Sequence, residues 1–214
     1  MKHRRRVLLA DEHAIVLEGL RRVLEPDFEI VGEVADGRAL VTAAGLLRPD
    51  IIVIDISMPL LNGIEAARQI RKINRKVKII FLTMHPDVIY AAEAFGEGES
   101  AYVLKSSAGA ELLEAIREAL SGVIYVTPSL DREVVRAQME RAGRREDVST
   151  DLTPRQREVL QLLAEGKSLK EVAAILKVSI KTIEFHKYRI MRRLGIHTNA
   201  EMTKHAVRLG VSDL

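Results

Sequence analysis

From Val7 to about Leu120 the chain repeats one pattern five times: a short apolar run, then a stretch with helical periodicity. The apolar runs fall near 6–10, 28–34, 50–55, 77–82 and 101–104 and read as strands. Between and after them, amphipathic stretches near 13–24, 38–47, 64–73, 86–95 and 109–120 read as helices. In the first of these, Ile15, Val16, Gly19, Leu20, Val23 and Leu24 recur at helical spacing. Asn62-Gly63-Ile64-Glu65 supplies a capped start for the third. Strict alternation of this kind leaves few solutions. It predicts βαβ units, a parallel sheet and helices on both of its faces.

In such a sheet functional groups collect at the carboxyl ends of the strands, where the strand order reverses. The residues standing there are chemically selective. Ile51-Ile52-Val53-Ile54 ends in Asp55, shortly before Met58-Pro59. Val7-Leu8-Leu9-Ala10 ends in Asp11-Glu12, the run from Val77 ends in Thr83, and Ala101-Tyr102-Val103-Leu104 ends in Lys105. Any one of these is ordinarily a helix cap or a solvated charge. Convergence of all of them would crowd carboxylates into one pocket, which a hard cation such as Mg²⁺ relieves. Beside such a cation Asp55 is a plausible nucleophile toward a phosphoryl donor, needing no base because it is already ionised. Lys105 and the Thr83 hydroxyl are placed to meet phosphate oxygens.

The segment 121–150 breaks the pattern, with Gly122, Pro128, Gly143 and a run from Asp131 to Asp147 holding five acids and five bases. It reads as a linker with one helix, roughly 129–142, whose apolar contacts are Leu130, Val134 and Met139. Helix signals then become dense. Thr153 with Gln156, Ser168 with Glu171 and Thr198 with Glu201 form capping boxes, Pro154 sits at a first helical position, and Gly166, Gly195 and Gly210 stand at stops. Four helices are expected, at about 153–164, 168–176, 179–194 and 199–209.

Charge follows the same division. Residues 151–214 hold 12 Lys and Arg against 7 Asp and Glu, a net of +5, whereas residues 1–150 carry a net of −2. A polyanion is therefore expected at the back end only. There the short break at Val178-Ser179 separates two helices. Ala173, Ile175, Leu176, Ile183, Ile190 and Leu194 form their buried face, and Lys181, Glu184, Lys187, Tyr188, Arg189, Arg192 and Arg193 the other. A basic helix presented by a tight turn is the geometry that enters a major groove. The chain has no cysteine, which excludes disulfides and thiolate metal sites. The basic start Met1-Lys2-His3-Arg4-Arg5-Arg6 precedes too short an apolar run for a signal peptide, and no stretch approaches a membrane span, so the cytoplasm is the expected compartment.

Residues 5–121 resemble the receiver domain of two-component response regulators. By that resemblance Asp55 is the phosphoacceptor, Asp11 and Glu12 the acidic metal-binding pair and Thr83 the switch hydroxyl. Lys105 would be the phosphate-contacting lysine and Tyr102 the rotating aromatic, which follows Thr83 inward on activation. Mg²⁺ would bind Asp11, Glu12, Asp55 and the backbone carbonyl of Ser57. Asp11-Glu12-His13, Leu82-Thr83-Met84-His85 and Tyr102-Val103-Leu104-Lys105 resemble the NarL/FixJ family in particular, which implies a five-stranded flavodoxin-like sheet. Departures are Glu12 for the commoner Asp, Ser106 for a frequent proline, and the acidic loop Glu97-Gly98-Glu99-Ser100-Ala101.

Leu152 to about Val211 resembles the LuxR-type helix-turn-helix of the same family. The match runs through Leu152-Thr153-Pro154-Arg155-Gln156-Arg157-Glu158-Val159-Leu160, Ala164-Glu165-Gly166-Lys167-Ser168 and Lys181-Thr182-Ile183-Glu184, with Leu169 in place of a polar residue. By position Glu184, Phe185 and Tyr188 are candidates for base edges, with a core role for Phe185 left open; Lys170, Lys181, Thr182, Arg189 and Arg192 would meet phosphates. The helix from Ala200 to Leu209 resembles the family's dimerisation helix. The expected layout is a receiver at 1–121, a linker at 122–150 and a DNA-binding domain at 151–214. The resemblance implies a sensor histidine kinase, promoter DNA and a second copy of the chain as partners. A rival is a regulator that binds DNA without phosphate. An Asp-nucleophile phosphatase is disfavoured because Ser57 stands where the second acid would be.

Overall fold

The computed structural model describes residues 4–84, 86, 88–96, 100–144 and 152–212. Five strands alternate with five helices, as the hydrophobic pattern requires. They are β1 (Arg6–Ala10), α1 (Ala14–Leu24), β2 (Glu29–Val34), α2 (Gly37–Leu47), β3 (Ile51–Ile54), α3 (Gly63–Ile73), β4 (Lys78–Thr83), α4 (Val88–Gly96), β5 (Ala101–Leu104) and α5 (Ala108–Ser121). Each starts and ends within two residues of its expected bounds. All strands pair in parallel, and the order β2-β1-β3-β4-β5 reverses beside β1.

Because successive side chains leave a strand on opposite faces, β1 supplies both halves of the core. Val7 and Leu9 pack with Leu17, Leu20 and Leu24 of α1 and with Leu112, Ala115 and Ile116 of α5. Leu8 and Ala10 pack on the other side with Leu40 of α2, Ile64 and Ile70 of α3, and Ala91, Ala94 and Phe95 of α4. The loop from β3 to α3 is drawn tight against the sheet. A Cβ on Gly63 would lie 2.2 Å from the Asp55 carbonyl oxygen, so no side chain fits there. Asn62 caps α3 by accepting from the Glu65 N–H at 2.8 Å.

The expectation of five strands is corrected. A sixth strand, β6 (Tyr125–Val126), comes from the segment read as linker and adds parallel to β5. Tyr125 N–H donates to the Ser100 carbonyl at 3.0 Å and Thr127 N–H to the Tyr102 carbonyl at 2.9 Å. The run Val123-Ile124-Tyr125-Val126 has strand character, but between Gly122 and Pro128 it is too short to stand out by periodicity. Glu111 of α5 fixes the strand further by accepting from the Thr127 hydroxyl at 2.7 Å and the Tyr125 hydroxyl at 3.2 Å.

Helix α6 (Arg132–Arg144) follows, and the expected linker helix is welded to the same body. It packs on α4, with Val135 and Met139 of the helix and Leu130 just before it in the cluster that holds Ala91, Ala94 and Phe95. Val134, expected inside, is exposed instead. Asp131 accepts from the N–H groups of Glu133 and Val134, and that cap sets the helical phase so that Val135 turns inward.

The last four helices are α7 (Pro154–Ala164), α8 (Leu169–Leu176), α9 (Ile180–Leu194) and α10 (Asn199–Arg208). All three expected capping boxes are formed. Lys177 in the left-handed region and Ser179 as N-cap make the turn between α8 and α9. Val159, Leu162, Val172, Ile183, Ile190, Met202 and Ala206 close a separate core. Among the described residues no helix is long and apolar enough to cross a membrane.

Candidate functional site

Three of the expected strand-end groups meet. Asp11 and Asp55 leave β1 and β3, the neighbouring strands at the order reversal, and both are buried. Lys105 leaves β5, and its Nζ lies 2.7 Å from Asp55 Oδ2 and 2.7 Å from Asp11 Oδ2. The Ser57 N–H donates to Asp55 Oδ1 at 3.3 Å. Burial raises the Asp55 pKa, with the Asp11 charge adding to it, against the opposing pull of Lys105 and the Ser57 N–H. Burial alone would lower the Lys105 pKa, but its bonds to the two carboxylates raise it. Two acids sharing one amine leave the pocket a net negative charge when both are ionised, so it suits a hard cation.

The expected acidic pair is split. Glu12 is exposed and lines a small cavity beside Ser57, because adjacent residues leave the strand end in different directions. His13 takes a place near Asp11. Its Nδ1 lies 3.1 Å from Asp11 Oδ1, which also accepts from the His13 N–H at 2.9 Å. Ligand atoms of Asp11, His13 and Asp55 fall within 4.8 Å of one another and could hold an ion. His13 was legible only as a neighbour of the acids.

Thr83 closes β4 and is fully buried. Tyr102 is also fully buried, with its ring centroid 6.4 Å from that of Phe95. The Tyr102 ring lies inside, in the same apolar cluster as Val126, Leu130 and Val135 from the added strand and the segment that follows it. Lys105–Ser107 forms a 3-10 turn, and no cis peptide occurs among the described residues. His85 and Glu97, Gly98 and Glu99 of the acidic loop lie outside the described residues.

Helix α9 presents a second set of groups. Lys181, Glu184, Phe185, Tyr188, Arg189 and Arg192 are exposed, while Ile183 and Ile190 face the core. Phe185 is 53% and Tyr188 64% exposed, so the open alternative of a core Phe185 falls away. Two large aromatics on a solvated face cost free energy that contact with a partner recovers. The Arg189 guanidinium lies 4.9 Å from the Phe185 ring centroid. The Thr182 hydroxyl pairs with that of Ser179 at 2.8 Å, and Lys170 of α8 is exposed. His186 beside them has a pKa lowered first by burial and then by Arg155 and Arg189.

A third feature joins the two parts of the chain. Helix α7 docks on the β3–α3 loop, and Gln161, 1% exposed, sits at the contact. Its Oε1 accepts from the Asn62 N–H at 2.8 Å. Its Nε2 donates to the Met58 carbonyl at 2.9 Å and to Glu165 Oε1 at 2.7 Å. Glu165 Oε1 also accepts from the Leu60 N–H at 3.1 Å. Leu60, at a left-handed φ of 66°, packs its side chain against the core of the last four helices. Glu158 accepts from Arg38 of α2 at 3.0 Å and from Gln69 of α3 at 3.2 Å. A cavity of about 140 Å³ lies between the two parts, lined by Glu12, Ser57, Asn62, Gln161, Glu165 and Val211 among others. Residues about 100 positions apart share no local signal, which is why Gln161 and Glu165 read only as part of a helix.

Two family models match the chain. One described as the response regulator receiver domain covers residues 7–117, and one described as bacterial regulatory proteins of the luxR family covers residues 150–206. The chain is 32% identical over 207 residues to Response regulator UvrY of Escherichia coli (strain K12), covering 96% of this chain and 94% of that protein. It is similar to a solved structure of the Salmonella typhimurium RcsB response regulator, with a TM-score of 0.67 and 29% identity over 97% of this chain and 98% of that one. A structure of RcsB from Salmonella enterica serovar Typhimurium bound to promoter rprA with the phosphomimetic BeF3− has a TM-score of 0.62 and 30% identity, covering 95% of this chain and 98% of that one.

Proposed function

This chain belongs to the NarL/FixJ family of response regulators, DNA-binding transcription regulators with a receiver and a LuxR-type helix-turn-helix, and from that premise we propose that phosphoryl transfer to Asp55 controls it. The observation that carries the reading is the Lys105 amine bridging Asp55 and Asp11 at 2.7 Å. An Asp55 oxygen forms a bond to phosphorus as the phosphorus–nitrogen bond of a kinase phosphohistidine breaks, with its electron pair passing to the imidazole. Lys105 then turns from the carboxylate to a phosphoryl oxygen, and Thr83 donates its hydroxyl to another. Mg²⁺, held by Asp11, Asp55 and the Ser57 carbonyl with Glu12 or His13 at the edge, would offset the charge between carboxylates and phosphoryl oxygens. The protein takes the group onto itself rather than turning over a substrate, and water can return the acyl phosphate to carboxylate.

The sensor histidine kinase is the expected donor, and promoter DNA in the cytoplasm the target. Glu184, Phe185 and Tyr188 would meet base edges, and Lys170, Lys181, Thr182, Arg189 and Arg192 phosphates. Release of α7 would let the last domain pair with a second copy, whose half-sites would lie ~34 Å apart. The pairing of β6 with β5 and the packing of Val135 support a receiver body that runs to residue 144, with the DNA-binding domain at 151–214.

DNA affinity measured with and without acetyl phosphate and Mg²⁺, for the wild type and for Asp55→Asn, tests this. Tighter binding only by the phosphorylated wild type is expected, and equal binding in all four conditions overturns the switch. The exposed face of α9 favours a second reading, DNA binding without phosphate, which that same result would support.

A further inference from the structure

Phe185 is an apolar ring on the solvent face of α9, and it is held there from two sides. The ring is 53% exposed, while Ile183 and Ile190 of the same helix are fully buried. The Arg189 guanidinium, one turn further on, lies 4.9 Å from the ring centroid, within cation–π range. His186 stands edge-on to the ring, with centroids 6.0 Å apart and planes at 66°. Among the described residues Arg189 forms no ion pair, so the stack is the contact that places its guanidinium. An arginine on a helix leans back toward the N-terminus, over the preceding turn, which is where Phe185 lies.

A phenyl ring carries neither donor nor acceptor. Among the groups that base pairs show in the major groove, the apolar one is the C5 methyl of thymine. The guanidinium is planar and has five donors, so it can keep a flat face on the ring while an edge of its fork meets a phosphate.

We infer that Phe185 reads a thymine methyl group in the major groove, and that Arg189 is its positioning residue, tying the ring to a backbone phosphate. The inference rests on α9 being the helix that meets DNA. A phosphate contact alone carries no sequence information. Here it fixes where the ring stands along the strand, and so becomes a condition for reading a base. Lysine in its place would supply the charge without the plane that stacks. The polar neighbours Glu184 and Tyr188 can exchange hydrogen bonds with base edges, and Phe185 adds the apolar part of the readout.

The test uses the full chain, treated with acetyl phosphate and Mg²⁺, to select sites from random duplex DNA. Each thymine of the selected half-site is then replaced in turn by deoxyuridine, which removes the C5 methyl and leaves the pairing edge intact. The wild type should lose affinity about fourfold, the effect of one methyl group left unburied, at one thymine in each half-site and little elsewhere. Phe185→Ala should bind the thymine and deoxyuridine duplexes equally. Arg189→Lys should keep most of the salt dependence yet lose the methyl preference. The readout is each variant's own ratio between the two duplexes, so an overall loss of affinity does not enter it. If Arg189→Lys discriminates like the wild type, Arg189 contributes charge alone and its positioning role is overturned. A wild type insensitive to every replacement, or a Phe185→Ala that still prefers the methyl, overturns the thymine assignment and leaves the ring to cover another protein. A wild type that selects no DNA sequence removes the reading of α9 itself, and this inference with it.

Discussion

Asp55 is held where water does little to solvate its charge, and one lysine shared with Asp11 does not fully compensate. Its raised pKa means that the folded chain holds the Asp55 proton more tightly than the unfolded chain does. The stability attached to this group is then present at pH below the unfolded value and lost as pH rises through the raised folded one. Asp55→Asn should accordingly melt higher than the wild type at pH 7, by roughly 2–4 °C for each kcal/mol relieved. The gap should close as pH falls toward the ordinary Asp value of 3.8, and scanning calorimetry across that range would show it. On α9, Tyr188→Ala should change which sequences are preferred, whereas Arg192→Ala should weaken all of them about equally and flatten the salt dependence. Binding-site selection with both variants checks this, and identical profiles would remove the base-edge assignment. At this scale much was legible, because Asp11, Asp55, Thr83 and Lys105 are each announced by the apolar run before them. The side taken by Glu12 and the approach of His13 depend on side-chain direction after a strand ends, which spacing does not encode.

At the scale of elements, the chain declares what is local. Capping boxes at Thr153, Ser168 and Thr198 gave starts that the structure reproduces, since the bonds involved span three residues. Strand β6 escaped because two paired residues leave no period, and its partners Ser100, Tyr102 and Glu111 lie elsewhere in the chain. That strand and α6 make a prediction. A fragment ending at Ser121 loses the cover that Val126, Leu130 and Val135 give to the cluster containing Tyr102 and Phe95. It should unfold several degrees below a fragment ending at Arg144, as a thermal melt would reveal. The Tyr125 hydroxyl, its pKa pushed up to about 12 by burial and the Glu111 carboxylate, stays a donor throughout such an experiment.

For the whole molecule, the relation of the two domains is the quantity that matters, and it carries a titration of its own. Burial raises the Glu165 pKa, against the bonds from Gln161 and Leu60 and the charges of Lys167 and Arg38. An acid whose pKa is higher docked than released favours docking at low pH and opposes it as pH rises through the docked value. Small-angle scattering of the unphosphorylated chain should thus show a more compact particle near pH 5 than near pH 8, with Glu165→Gln largely removing the difference. A reversed trend would place the coupling in other groups. The interface also has a property that bears on how such a chain can vary. Beside the contacts of Glu158 with Arg38 and Gln69, what Gln161 and Glu165 grip on the receiver is main chain, through Met58, Leu60 and Asn62, and every amino acid but proline offers the same amide and carbonyl. Those three hydrogen bonds therefore do not depend on which side chains the loop carries, although the packing of Leu60 does. Gln161 and Glu165 then hold the main-chain half of the conversation between domains, and a change to either would rewrite that half from a distance, at positions about 100 residues from the pocket where the signal is received.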